Sequence, residues 1–517
     1  MIKSIGIKNL RSFQKETKIE LKPLTVFVGK NSSGKSSFLR VFPLLRQSVE
    51  ANTTGPILWF GRYVDFGDFN EAVSNLSPSQ PIGFHFELDM DIMSTKKIRP
   101  RRPQTSIVSI DLDVVLNKFK TDFKRASITI DGLEMEIQEK NPGESIIELS
   151  YKDQKITKEN IQLFKENQFI PSPSLPSNKK EELNKIKDYI FDSFYMYEAD
   201  PLSRNFLDSA VTIARKFFHA NTETQTIRNL LKKVPFSNKE IFLNLLRFIF
   251  REQKTFIKHL KENSDEVVDA LYPYCLGWNL TDTINLINRE LNSTFLSVRY
   301  IAPLRATTER YYRFQDLQVE EIDHTGSNLA MLLNSLKPTE QRDFASWTKE
   351  NFGFSVVVKE VGAHYAVKII SPEDNKEYNI SDMGFGYSQV LPIIISIWLE
   401  TERKKNTIKT SKIFVIEQPE LHLHPSYQAK LGELFSKVID SAKNKKLNIK
   451  IIFETHSQSI IDALGEMIET EECNLTNDDV SVILFEKSES GCTDVFKSEF
   501  DSSGYLMNWP IGFFSGK

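Results

Sequence analysis

Residues 24–37 read LTVFVGKNSSGKSS, and this stretch decides the fold. Its apolar first half predicts a buried strand, and Gly29 and Gly34 predict a tight loop that leads into a helix from Lys35 onward. The spacing G-x-x-x-x-G-K-S lets the backbone wrap around phosphate oxygens and point its N–H groups at their negative charge. A strand, a glycine loop and a helix in this order predict an α/β fold with a nucleoside triphosphate site.

Two side chains of this loop have specific roles in that chemistry. The ammonium group of Lys35 would reach the β- and γ-phosphates, and the hydroxyl of Ser36 would be a ligand of Mg²⁺. We therefore expect ATP and Mg²⁺ as cofactors.

The composition narrows the class of protein. The chain has 66 basic and 69 acidic side chains, which nearly cancel, so a contact with nucleic acid would need a local patch of charge. Its three cysteines (Cys275, Cys473 and Cys492) are far apart, which argues against a disulfide framework and fits a reducing cytosol. No apolar run is long enough for a signal peptide or a membrane span, so we expect a cytoplasmic protein with no membrane partner.

The hydrophobic pattern changes twice along the chain. Residues 1–150 contain the glycine loop and then runs of two-residue alternation, which predict antiparallel strands with one wet face. Residues 151–299 change to helical spacing and predict a helical insertion. Residues 300–517 return to alternating strands and helices.

Two later strands end in polar residues that suit a nucleotide site. The apolar run at 413–416 ends in Glu417, which we predict to be the carboxylate on the magnesium side of the site. A second run, LNIKIIF at 447–453, ends in the sequence ETHS at 454–457. Because open α/β sheets bind ligands at the carboxyl ends of their strands, His456 could reach the γ-phosphate.

Residues 381–389 read SDMGFGYSQ and lead into a strongly apolar helix at 390–399, with Pro392 expected in its first turn. A glycine-hinged helix N-terminus attracts anions. Since the first glycine loop already holds one face of the triphosphate, this second helix end would bind a nucleotide held by another copy. The pattern therefore predicts an ATP-bridged homodimer or a larger homo-oligomer.

In this order the segments resemble the ABC-type ATPases, and within them the prokaryotic AAA-like relatives of the overcoming-lysogenization-defect family. The motifs that carry the resemblance are IKNLRSF at 7–13, the glycine loop, GFGYSQVLP at 384–392, IEQPELHLHP at 416–425 and ETHS at 454–457. YIAPLR at 300–305 and NWPIGFF at 508–514 are similar to one branch of that group. The resemblance covers residues 1–90 and 296–517.

The resemblance implies an ABC-type P-loop ATPase head, in which a mixed sheet with flanking helices is joined to an antiparallel β-subdomain. Residues 1–150 and 300–517 would be its two halves, and 151–299 would be an insertion. It implies that the nucleotide is bound by Arg11, Ser12, Gly29, Asn31, Ser32, Ser33, Gly34, Lys35, Ser36 and Ser37, and magnesium by Ser36 and Glu417. It further implies that His456 is the switch histidine, and that the signature closing the partner's site consists of Ser381, Gly384, Gly386, Ser388 and Gln389.

One position departs from the family pattern. ABC ATPases usually have a glutamate after the magnesium carboxylate to orient or deprotonate the attacking water, whereas this chain has Gln418. An amide cannot be a general base near neutral pH, although it can hold a water by hydrogen bonds. We place Gln418 in the catalytic set with Lys35, Glu417 and His456, and expect slow or absent hydrolysis unless Glu420 or His456 compensates.

The segment after His456 is too short for the nuclease domain that relatives often carry, so we expect no nuclease site in this chain. That pattern resembles the ATPase subunits of the Septu and retron antiphage systems, the PtuA branch, whose second protein is an HNH nuclease. The resemblance implies a separate HNH-type partner, and the 151–299 insertion would be the natural surface for it.

A cluster of cations allows a second interpretation. Five basic residues fall within positions 96–103, namely Lys96, Lys97, Arg99, Arg101 and Arg102. They suit a loop that neutralises a phosphate backbone, although a solvated hairpin tip explains them nearly as well. A DNA repair or recombination ATPase is therefore the alternative function. A third class, an ABC transporter subunit, is disfavoured by the insertion and by Gln418.

Overall fold

The computed structural model describes residues 1–51, 53–91, 105–141, 144–164, 168–173, 201–314, 319–371, 374–402, 411–470 and 472–509. The chain divides into two compact units. The first unit is formed by Met1–Leu10, Ala51–Leu58 and Gly67–Ser293, and the second by Arg11–Glu50, Trp59–Phe66 and Thr294–Lys517.

The strands in the described ranges are β1 (Ile2–Lys8), β2 (Thr17–Glu20), β3 (Leu24–Gly29), β4 (Ile82–Met90), β5 (Ser106–Asn117), β6 (Lys120–Ile130), β7 (Leu133–Asn141), β8 (Glu144–Tyr151), β9 (Gln154–Ile161), β10 (Leu163–Phe164), β11 (Ser172–Pro173), β12 (Val298–Ile301), β13 (Tyr312–Arg313), β14 (Ser355–Val361), β15 (His364–Ile370), β16 (Glu377–Asn379), β17 (Lys412–Glu417), β18 (Ile449–Glu454), β19 (Val480–Lys487), β20 (Thr493–Phe500) and β21 (Leu506–Met507). The α-helices are α1 (Lys35–Leu39), α2 (Val41–Glu50), α3 (Phe69–Ala72), α4 (Pro201–Ala214), α5 (Thr224–Leu231), α6 (Lys239–Ile249), α7 (Lys254–Glu262), α8 (Ser264–Trp278), α9 (Leu280–Leu296), α10 (Leu329–Ser335), α11 (Pro338–Phe352), α12 (Phe385–Thr401), α13 (Pro425–Lys445) and α14 (Gln458–Glu469).

The first unit is built on an antiparallel sheet with the strand order β1-β4-β5-β6-β7-β8-β9. Alternate residues of β5 are buried, as a strand with one wet face requires. The predicted antiparallel strands are thus confirmed. They continue past residue 150, since β9 lies inside the range expected to be helical.

The strand β9 has no apolar alternation because it is an edge strand in which no residue is buried. Among the described residues of this range, those from 201 onward form the helices α4 to α9, in agreement with the predicted helical spacing. The bounds of the insertion, 151–299, remain a prediction.

The second unit contains a seven-stranded sheet with the order β12-β17-β18-β3-β19-β20-β21. The first five strands are parallel, and β20 and β21 are antiparallel additions. The expected mixed sheet with flanking helices is therefore present. Because parallel strands end at the same edge of a sheet, the carboxyl ends of β3, β17 and β18 meet there.

The helix α12 begins earlier than the sequence predicts. It starts at Phe385, after Gly384 in a positive-φ conformation (φ 80°), so Pro392 lies in the helix interior and not in the first turn. A proline in a helix interior removes one hydrogen bond. The helix tolerates it because nearly every side chain from Val390 to Leu399 is buried in the core of this unit.

Within the described ranges, no helix combines the length and the apolar character that crossing a bilayer would require.

Candidate nucleotide site

The glycine loop follows a strand that is buried along its whole length, β3, and opens α1 at Lys35. A Cβ atom at Gly29 would lie 2.4 Å from the carbonyl oxygen of Phe485, so only glycine fits there. Gly34, the N-cap of α1, has a φ of 101°, which a side chain rarely allows. Local packing thus explains both glycines of the motif.

The side chain of Lys35 is buried and folds back over the loop. Its Nζ donates to the carbonyl oxygens of Gly29 and Lys30, at 2.9 Å each. Burial lowers the pKa of Lys35, and the nearby carboxylates of Glu454 and Glu420 oppose that shift. The lysine is therefore held at the loop, where a triphosphate could replace the two carbonyl groups as its partner.

The other loop residues divide by exposure. Asn31 and Ser32 are exposed, while Ser37 is half-buried. The hydroxyl of Ser33 is buried and has no hydrogen-bond partner among the described residues. A buried hydroxyl without a partner is unfavourable, and a phosphate oxygen in the loop would supply one.

A carboxylate that the sequence analysis did not assign lies beside Ser36. The hydroxyl of Ser36 donates to Glu454, with its Oγ 2.9 and 2.8 Å from the two carboxylate oxygens. Burial and the nearby charge of Glu417 raise the pKa of Glu454 to about 7. Glu454 is the last residue of β18, so the rule that ligands bind at strand ends could have identified it.

The predicted magnesium carboxylate, Glu417, is only 1% exposed and is already occupied by protein donors. Arg40 donates to both of its oxygens at 2.8 Å, and the hydroxyl of Tyr300 donates to Oε1 at 2.6 Å. Hydrogen bonding to Glu417 raises the pKa of Arg40, and burial raises the pKa of Tyr300. Sequence analysis had no signal for Arg40, and it noted Tyr300 only as part of YIAPLR.

Hydroxyl and carboxylate oxygens are hard ligands, which Mg²⁺ prefers. Ser36, predicted as a magnesium ligand, and Glu454, which was not predicted, offer such oxygens side by side. The oxygens of Glu417, the other predicted ligand, accept from Arg40 and Tyr300 instead.

The loop after β17 carries Gln418 in a positive-φ conformation (φ 44°). Its N–H donates to the carbonyl oxygen of Glu454 at 3.1 Å. Arg305 donates hydrogen bonds to this turn, since its Nη2 lies 2.9 Å from the carbonyl oxygen of Glu417 and 3.5 Å from that of Gln418. Burial lowers the pKa of Arg305 to about 10. Arg305, from the YIAPLR motif, is a positioning residue that the sequence analysis missed.

His456 and Glu420 are linked across the site. The backbone N–H of His456 donates to Oε1 of Glu420 at 2.7 Å, whereas Oε2 of Glu420 is buried and has no partner among the described residues. Burial raises the pKa of Glu420. The exposed side chain of His456 has a lowered pKa because of partial desolvation and the charge of Lys35. A neutral imidazole at this position can donate a hydrogen bond to a phosphate oxygen or accept one from water.

Ser12 lies at the loop, as the resemblance implies. A Cβ atom at Gly34 would be 3.1 Å from its Oγ. Thr493 fixes this arrangement, since its Oγ1 lies 2.8 Å from Ser12 Oγ and 2.9 Å from the carbonyl oxygen of Ser33. The guanidinium of Arg11 stacks over the ring of Phe66, 4.8 Å from its centroid. The structure thus brings Ser12 to the loop and gives Arg11 an aromatic contact.

The residues of the predicted signature differ in exposure. Ser381 and Gly384 are exposed at the start of α12, whereas Ser388 and Gln389 are buried. A Cβ at Gly386 would be 3.4 Å from the carbonyl oxygen of His422, so this glycine packs near the loop after β17. Only the N-terminal part of the motif is therefore accessible to a second copy.

The cations predicted to contact DNA, Lys96, Lys97, Arg99, Arg101 and Arg102, lie outside the described residues. So does part of the terminal motif, residues 510–514.

A family model described as "AAA ATPase domain" matches residues 1–461. A solved structure, the SMC head domain from Thermotoga maritima, is similar at 9% sequence identity and a TM-score of 0.36, over 96% of this chain and 98% of that one. A likeness this weak contributes nothing to the functional assignment. Comparison with curated proteins gives no significant match.

Proposed function

The chain belongs to the AAA ATPase domain family, and on that footing we propose that it is an ATP-binding sensor and scaffold. In this proposal the loop from Gly29 to Ser37 holds ATP, with hydrolysis slow or absent. The bound state controls a separate effector nuclease, of HNH type, in bacterial antiphage defence.

The observation that carries the proposal is the position of Gln418. It follows Glu417 directly, where a hydrolysing relative would have a general base, and an amide cannot accept the proton of an attacking water near neutral pH. Glu420, a possible substitute named above, has its Oε1 engaged by the backbone N–H of His456. Bound ATP would therefore persist, which suits a protein that signals through its nucleotide-bound state better than one that depends on repeated hydrolysis.

The donor set at Ser36 supports a role for magnesium. Ser36 and a neighbouring carboxylate would hold Mg²⁺, which would supply positive charge against the phosphates of the nucleotide. Lys35 would add a second cation there, and Ser12 would support the loop from the side through Thr493. His456 would form a hydrogen bond with the γ-phosphate.

We propose that two copies close around the nucleotide. The exposed Gly384 is the N-cap of α12, a helix whose dipole favours an anion, and the exposed Ser381 lies in the short turn just before it. Asp382 between them is paired with Arg310, whose Nη2 is 2.7 and 2.9 Å from its carboxylate oxygens. This pair reduces the negative charge that would otherwise repel a partner's phosphates.

The effector partner is supported by the motif resemblance and by the absence of a recognisable nuclease motif in the sequence. The test is to co-express the chain with the neighbouring gene product and to purify the complex with and without ATP. A small nuclease that co-purifies, and whose binding or activity changes with ATP in wild type but not in Lys35→Ala, supports the proposal. A chain that purifies alone and has no adjacent nuclease gene contradicts it.

A second candidate is a DNA repair or recombination ATPase that binds DNA directly. It is favoured by the five cations within residues 96–103. Salt-sensitive DNA binding that is lost on neutralising these residues would support it. DNA binding that is unaffected by their neutralisation would remove the reason to consider it.

A further inference from the structure

We propose that Glu454, and not Glu417, is the carboxylate that meets the magnesium ion beside Ser36, and that Arg40 reserves Glu417 as an internal ion pair. The inference rests on the nucleotide site proposed above. It reassigns the metal ligand that the motif order predicts.

The first support is the order of the strands. In the sheet, β18 lies between β3 and β17, so the residue that ends β18 is nearer to the glycine loop than the residue that ends β17. Glu454 is opposite Phe27 on one side and opposite Glu417 on the other. The two distances of 2.9 and 2.8 Å from Ser36 Oγ follow from that position.

The second support is the state of Glu417. Its carboxylate accepts three hydrogen bonds, two from Arg40 at 2.8 Å and one from Tyr300 at 2.6 Å. A bidentate arginine pair is a strong contact, and this one occupies both oxygens of a side chain that is 1% exposed. A metal at Glu417 would have to displace a cation that the protein supplies itself.

The third support is the position of Arg40 relative to Ser36. The backbone N–H of Arg40 donates to the carbonyl oxygen of Ser36 at 2.9 Å, which is the spacing of one helical turn. Ser36 and Arg40 therefore project from the same face of α1, each towards one acid. Two adjacent carboxylates repel each other unless each has a cation, and Arg40 satisfies one of them. The remaining charge, on Glu454, is the one that a divalent ion at Ser36 would neutralise.

The experiment measures Mn²⁺ binding, with Mn²⁺ as an EPR-visible substitute for Mg²⁺. Free Mn²⁺ is titrated into wild type, Glu454→Gln and Glu417→Gln, with and without a non-hydrolysable ATP analogue, after circular dichroism has confirmed that each variant folds. We expect Glu454→Gln to weaken Mn²⁺ binding roughly 10-fold or more and Glu417→Gln to weaken it no more than about 3-fold.

A double variant adds a gain in Mn²⁺ binding, which a loss of folding could not produce. Arg40→Met frees Glu417, so Arg40→Met combined with Glu454→Gln should recover part of the lost Mn²⁺ affinity. The inference would be overturned if the two single variants lost Mn²⁺ affinity equally or in the reverse order. It would also be overturned if the double variant recovered no affinity, or if wild type bound no Mn²⁺.

Nucleotide binding is measured separately, with a fluorescent ATP analogue and EDTA. Failure of that binding would contradict the proposed function, whereas the order of the Mn²⁺ affinities without nucleotide would still decide which carboxylate is the ligand.

Discussion

Glu417 and Glu454 are register partners at the carboxyl ends of two adjacent parallel strands, β17 and β18. Their charges are close enough for Glu417 to contribute to the raised pKa of Glu454. The chain separates their roles with side chains of α1 and its C-cap, because Ser36 contacts one acid and Arg40 the other. This division leaves Glu454 as the acid that lies next to the glycine loop.

Lys35→Ala should weaken ATP binding about 10-fold or more, since a charged hydrogen-bond donor to the phosphates is lost. The measurement is a titration with a fluorescent ATP analogue. Lys30→Ala is the matched control, because the Lys30 side chain is exposed on the same loop. Equal losses in the two variants would show that bulk charge, and not the position of Lys35, accounts for binding.

Gly29→Ala and Gly386→Ala should differ sharply in stability. The new Cβ at Gly29 would lie 2.4 Å from a carbonyl oxygen, so we expect a loss of about 2–4 kcal/mol in the free energy of unfolding. Gly386 lies in a helix, and a Cβ atom there would be 3.4 Å from its nearest neighbour, so the free energy of unfolding should change by no more than about 1 kcal/mol. Urea unfolding of the two variants checks this. A destabilised Gly386→Ala would contradict the packing around the start of α12.

Arg305→Met and Arg40→Met should differ in stability, because only Arg40→Met should destabilise the fold. Arg305 is buried, burial lowers its pKa, and among the described residues its Nε and Nη1 have no hydrogen-bond partner, so we expect its buried charge to reduce stability. We expect Arg305→Met to unfold at the same denaturant concentration or a higher one. Arg40→Met leaves the buried Glu417 without its cation and should lose about 2–4 kcal/mol, after allowance for the partial exposure of Arg40.

The same two variants separate stability from function. Without Arg305 the turn at Gln418 loses its donor, so Arg305→Met should bind or process ATP less well even though it is no less stable. If Arg305→Met were destabilised as much as Arg40→Met, the hydrogen bonds of Arg305 would outweigh the cost of desolvating its charge.

Asp269 gives the first unit a pH-dependent contribution to stability. Burial raises the pKa of Asp269, but hydrogen bonds from Lys152, Lys239 and Tyr151 outweigh it and lower the pKa to about 2. A lowered carboxyl pKa stabilises the fold above the unfolded value of 3.8, and this contribution is lost as the pH falls through about 2.

Wild type should therefore be more stable than Asp269→Asn near neutral pH, and the difference should shrink between about pH 4 and pH 2. Denaturant unfolding across that range measures it. Asp265→Asn, at an exposed position on the same helix α8, is the control. A constant difference between wild type and Asp269→Asn would contradict the ion-pair geometry.

The local parts of the site could be predicted because their signals lie within a few residues. The apolar run before Gly29, and those before Glu417 and Glu454, are the strands β3, β17 and β18, and Lys35 begins a helix as expected. The start of α12 was misplaced because Pro392 resembles a first-turn signal, although burial allows it in the interior.

The contacts that assign roles could not be predicted from local signals. Ser36 and Glu454 are 418 positions apart, and Arg40 and Glu417 are 377 apart, so only the strand order brings each pair together. The strand β9 was missed because an exposed edge strand has no apolar face to generate a pattern. Arg305 stood in a motif with no stated role until its contacts with Glu417 and Gln418 were seen.

The rate of ATP hydrolysis decides between a signalling role and a turnover role. Single-turnover hydrolysis is compared in wild type, Gln418→Glu and Lys35→Ala under equal nucleotide occupancy of the first two. We expect very slow turnover in wild type, a rise of roughly 10²-fold in Gln418→Glu because a carboxylate can act as the general base, and none in Lys35→Ala. Brisk Lys35-dependent turnover in wild type that Gln418→Glu does not increase would contradict this.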